Sequence, residues 1–108
     1  MDGPPYYIEN AEQIAGMFKA LAHPIRLTLF AILAQGPRNV NDLVNRIGLP
    51  QGSVSHHLKI LQGCGLLKSE RRRTFVQYAL MTPSLTELVS YFDRCSSHFG
   101  AIAQDDKL

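Results

Sequence analysis

Gly48-Leu49-Pro50 cannot lie inside a helix, yet it separates two short segments that are each patterned as one. Proline has no N–H to donate and clashes with the preceding turn, while glycine favours the position just past a helix end. Upstream, Val40, Leu43, Val44 and Ile47 recur at helical spacing, with Asn39 placed to cap the first turn. Downstream, residues 51–62 read Gln-Gly-Ser-Val-Ser-His-His-Leu-Lys-Ile-Leu-Gln, with apolar side chains only at Val54, Leu58, Ile60 and Leu61. Two short helices joined by so tight a turn predict a helix-turn-helix.

The rest of the 108 residues is organised around that unit. Residues 8–22 form an amphipathic helix through Ile8, Ala11, Ile14, Ala15, Phe18, Leu21 and Ala22, ended by His23-Pro24. Residues 24–35 are apolar nearly all the way round, which predicts a helix at the centre of a bundle. Gly63-Cys64-Gly65 stops the helix that begins at Gln51. The period then changes: 66–70 and 74–80 are strand-like, with Arg71-Arg72-Arg73 as the tip of a hairpin. Pro83 opens a last helix over about 83–99. The expected fold is α+β but mostly α, about five helices plus a two-stranded wing, in one domain spanning 1–108.

The helix after the turn carries the chemistry. A helix that reads DNA buries a thin apolar edge and offers small or hydrogen-bonding side chains to base edges. Val54, Leu58 and Leu61 supply the edge; Gln51, Ser53, Ser55, His56 and Lys59 supply the contacts. His56 and His57 point about 100° apart on a helix, so they make a poor chelate. The better reading places one on DNA and the other near a backbone phosphate. An ordinary solvated polar face fits this helix alone equally well. The hairpin tilts the choice, because a helix-turn-helix followed by a basic ribbon is the winged-helix order. The charge agrees. Residues 45–75 hold six cations against Glu70 alone, whereas the flanks are mildly acidic and the whole chain is only +2. Phosphate contacts need cations in that segment.

Other classes fit less well. No glycine-rich phosphate loop follows a strand, and no Ser-His-Asp set has a local signature, so an enzyme is not expected. No apolar run reaches the length of a membrane span, and Met1 to Tyr7 is not patterned as a secretory signal, which leaves the cytoplasm as the expected location. A winged helix used only to bind protein is the remaining alternative, but such a domain has no need of a basic wing.

Phe18-Lys19-Ala20-Leu21-Ala22-His23-Pro24-Ile25-Arg26-Leu27 and Leu49-Pro50-Gln51-Gly52-Ser53-Val54-Ser55-His56-His57-Leu58-Lys59-Ile60-Leu61 occur in this order, followed by Gly65-Leu66-Leu67 and Tyr78-Ala79-Leu80. Over about Ile8 to Phe99 the chain resembles the ArsR/SmtB family of winged-helix transcriptional regulators. The resemblance implies a homodimer on an inverted-repeat operator, paired through the first and last helices (about 8–22 and 83–99), and a repressor released by an effector; a constitutive repressor is the alternative. Ile14, Phe18, Leu85, Leu88, Phe92 and Phe99 are the expected dimerisation residues. DNA contacts are expected from Gln51, Ser53, Ser55, His56, His57, Lys59, Arg71, Arg72 and Arg73.

The family's metal sites are incompletely matched. Where one site needs thiolates on the third helix, this chain has Asn39 and Asn41. A second site, on the last helix, would fall on Thr82 and Ser84, then Cys95 and His98. Cys95 and His98, at i and i+3, would make half a site for zinc or another thiophilic metal; the better reading is that Cys95 packs in the apolar stripe and His98 caps or snorkels near the helix end. Cys64 and Cys95 are also candidates for a redox pair, against a reading as small packing residues. The sequence demands no cofactor.

Overall fold

The computed structural model describes residues 10–90, 92 and 93. Helix α1 (Ala11–Leu21) runs into α2 (Pro24–Leu33) through a 102° bend. His23 makes the bend productive: its Nδ1 accepts the Ile25 N–H at 3.1 Å, capping α2, while Pro24 occupies the first turn where no N–H is needed. A two-residue strand, β1 (Arg38–Asn39), leads directly into α3 (Val40–Ile47). Helix α4 (Gln51–Gly63) precedes the hairpin β2 (Leu67–Arg72) and β3 (Phe75–Leu80). Helix α5 covers 82–90, and 92 and 93 are helical as well.

The wing has one strand more than its sequence predicts. The antiparallel order is β1-β3-β2, with Arg38 opposite Tyr78 and Asn39 opposite Gln77. Two residues cannot display a period, so pairing with β3 alone makes β1 a strand. Asn39 also fulfils its predicted capping role, accepting the Asp42 N–H on its side-chain oxygen at 2.8 Å. Asn39→Ala is expected to destabilise the domain by about 1 kcal/mol in urea unfolding, with m unchanged. An unchanged midpoint would show that water replaces this cap.

The core unites the helices with the sheet. Met17, Leu29, Leu43, Val54, Leu58 and Leu61 are completely buried, and Leu66, Leu67, Tyr78 and Leu88 close the layer. The predicted edge of α4 is therefore its buried edge. Helix α2 is less central than its composition suggests: Leu29 and Leu33 are buried, but Leu27 is 53% exposed. The remainder of so small a domain covers only one side of this helix.

Two expected interface residues lie inside the chain's own core. Ile14 and Leu88 are each 4% exposed, so neither offers surface to a second molecule. Phe18 is half-buried and meets Phe92 edge-on, with ring centroids 5.3 Å apart. On α5 the expected Phe92 is 56% exposed and Leu85 is half-buried, and Val89, which is not among the expected residues, is 57% exposed. Phe99, Cys95 and His98 lie outside the described residues.

Candidate nucleic-acid interface

The turn between α3 and α4 works as predicted. Gly48 adopts φ +79°, a left-handed conformation that costs glycine little, and its N–H returns to the Val44 carbonyl at 2.8 Å. With Val54, Leu58 and Leu61 locked in the core, the opposite side of α4 faces outward. Gln51, His56 and Lys59 are exposed there, and Ser53 and Ser55 are half-buried beside them. Pro50 gives α4 no side-chain cap, so the cap residue itself leaves the first-turn N–H groups of α4 unsatisfied.

His57 leaves this row. Its ring lies 4.6 Å from His23, and its Nδ1 is 3.5 Å from the Arg26 guanidinium. These contacts set His57 apart from the outward row to which His56 belongs. His57 is turned onto α2, because successive helix positions diverge too far to share one face. Burial first, then His23, Arg26 and His56, hold the His57 imidazole below the usual histidine range.

The tip of the wing also differs from expectation. Arg71 pairs with Val76 and Arg72 with Phe75, so two of the three arginines belong to β2 and the turn is Arg73-Thr74. Arg73 takes φ +41° where a glycine would be commoner. All three side chains are exposed, but they differ in charge balance. Arg72 is held by Glu70 at 2.8 Å, whereas Arg71, Arg73, Lys59 and Lys68 form no ion pair among the described residues. Arg46, a sixth cation of the basic segment, is paired with Asp42 at 2.9 Å. The free positive charge therefore lies on the wing and the outer face of α4.

Helix and wing form one surface. Gln51 and Arg71 line the same cleft of about 170 Å³, with Asn41, Thr74 and Phe75. At the far end of α4, Gln62 donates from Nε2 to the Ser69 hydroxyl on β2 at 3.1 Å. Pattern reading misses this tie, since a polar pair seven residues apart across a turn has no periodic signature.

Metal ligation is not served by these residues. The side-chain oxygen of Asn39 is committed to its cap, and Arg38 lies beside the same helix start. Thr82 and Ser84 offer only hydroxyls, and the described residues contain no group of three His, Cys, Asp or Glu able to hold an ion. Cys64 ends α4 with its thiol donating to the Leu61 carbonyl at 3.2 Å, as a small packing residue does.

Residues 23–69 match the family model described as bacterial regulatory protein, arsR family. Over 85 residues the chain is 35% identical to the HTH-type transcriptional regulator NmtR of Mycobacterium tuberculosis, covering 79% of this chain and 71% of that protein. The chain belongs to the ArsR family. Among solved structures, the transcriptional repressor BigR from Xylella fastidiosa superposes on this ArsR-family chain with a TM-score of 0.65 at 30% identity, over 76% and 84% of the two chains. The homodimeric winged helix-turn-helix domain Mb0332 from Mycobacterium bovis shares the fold, with a TM-score of 0.68 at 24% identity over 89% and 93%. This ArsR-family protein is thus a winged helix-turn-helix regulator of transcription that binds DNA, and not an enzyme.

Proposed function

We propose that two copies of the chain pair through α1 and α5, set their α4 helices in successive major grooves of an inverted repeat, and repress transcription there. The observation that carries this reading is that Gln51 at the start of α4, the helix that also carries Ser53, Ser55, His56 and Lys59, shares a cleft with Arg71 of the wing, where Arg71 and Arg73 form no ion pair among the described residues. Gln51 can make a bidentate pair with adenine; the serines and His56 are short enough to reach base edges or flanking phosphates. Lys59, Arg71 and Arg73 supply charge to the backbone. Val89 favours pairing, since it is 57% exposed and leaves apolar surface on α5. An effector that alters the angle between paired α4 helices would release the operator, because both readers must fit at once.

Footprinting tests the geometry. Protection of two half-sites about one helical turn apart is the expected result. A monomer protecting one asymmetric site would refute it. Replacing Gln51, Ser55 and His56 together by alanine is expected to erase sequence preference by about 1–3 kcal/mol per lost base contact. Binding to unrelated duplex should survive in that variant. Equal loss on every sequence would instead mean that these side chains touch only phosphate.

A further inference from the structure

Arg26 joins three helices. Its Nε donates to the Ala20 carbonyl near the end of α1 at 2.6 Å, and its Nη1 reaches Nδ1 of His57 on α4 at 3.5 Å. Arginine is a donor only, so Nδ1 of His57 must accept. Nδ1 of His23 accepts as well, from the Ile25 N–H. Both contacts use the Nδ1 lone pair, which an added proton on that nitrogen would remove. The two rings sit 4.6 Å apart by ring centroid, and His56 lies 5.5 Å from His57 on the same helix.

We propose that His23, Arg26 and His57 form a proton-operated clasp between α2 and the reading helix, closed when both imidazoles are neutral and opened by acid. A proton on Nδ1 of His57 turns an acceptor into a donor facing another donor. A proton on Nδ1 of His23 removes the cap of α2. The groups acting on His57 are His23 and Arg26 across from it and His56 beside it, and all of them oppose a further positive charge. The linkage has one sign. The folded chain holds the His57 proton less tightly than the unfolded chain does, so this contribution to stability is present above the usual histidine range. It is lost as pH falls through the folded value. An acid-weakened clasp loosens the positioning of α4 without touching its reading side chains.

The consequence for DNA rests on the operator reading above; the clasp itself does not. Hydrogen exchange of the α4 amides, corrected for intrinsic rate, tests the clasp at pH 7.5 and 5.5. Exchange is expected to be about fivefold faster in acid, the size of one lost N-cap. His23→Asn with His57→Gln keeps both acceptors but titrates neither, and is expected to flatten that response. Where the double variant does not fold, histidine-ring titration of the wild type by NMR serves instead, and its midpoint must coincide with that of the α4 exchange. On sheared duplex genomic DNA at fixed salt, the wild type is expected to lose about fivefold more affinity over the same pH step than the double variant. His56 is common to both, so its own attraction for phosphate cancels. Equal α4 protection at the two pH values, an unchanged acid response in the double variant, or non-coincident midpoints would overturn the clasp. Failure of the wild type to hold duplex at pH 7.5 would overturn the operator reading and leave the exchange result to judge the clasp.

Discussion

Leu58→Ala is expected to destabilise the domain by about 2–5 kcal/mol, a large share of the total stability of a domain this size. Leu58 is completely buried and lies midway along α4, between Val54 and Leu61, which are buried to the same degree. These three side chains are what hold a largely polar helix onto the core. Removing the middle one leaves a cavity in the core beneath α4. Urea unfolding should therefore show a lower midpoint with little change in m. The same variant should lose DNA affinity at temperatures where it is still folded, because α4 is no longer held in register with the wing. Leu27→Ala is the control. It removes a leucine of the same size from a surface 53% exposed, and should cost far less. Similar losses in both variants would contradict the assignment of the α4 edge to the core.

The contrast between Leu58 and Leu27 also shows what the residues alone could reveal. Val54, Leu58 and Leu61 were legible because one apolar edge on a polar helix leaves a single way to bury it. In α2 nearly every position is apolar, and a pattern without contrast cannot say which leucines the rest of the chain will cover. The turn at Gly48 was legible because glycine and proline act locally. The strand at Arg38 and Asn39 was not, since its only cause is β3, some forty residues later. The wing tip fell between these cases. Three consecutive arginines mark a basic ribbon, but only the cross-strand register assigns the turn to Arg73 and Thr74. The Arg26–His57 contact joins residues 31 apart, and a histidine pair in sequence carries no hint of which member turns inward.

Arg71 and Arg73 should account for much of the salt dependence of DNA binding. Each phosphate neutralised on duplex DNA contributes about 0.9 to the slope of log affinity against log salt. Two arginines on each of two wings make four such contacts, so Arg71→Ala with Arg73→Ala is expected to flatten the slope by about 3 to 4. Between about 50 and 200 mM salt the variant should then lose about a hundredfold less affinity than the parent. At the lower salt it should bind more weakly on every sequence alike, since phosphate contacts carry no base information. Stability should scarcely change, because both side chains are exposed and neither forms an ion pair among the described residues. Arg72 behaves differently. Glu70 holds it at 2.8 Å, so Glu70→Gln should release a cation toward the backbone and steepen the slope. An unchanged slope in the double arginine variant would move the phosphate contacts off the wing and onto Lys59 and the start of α4. A steeper slope in Glu70→Gln alone would keep them on the wing but assign the working charge to Arg72.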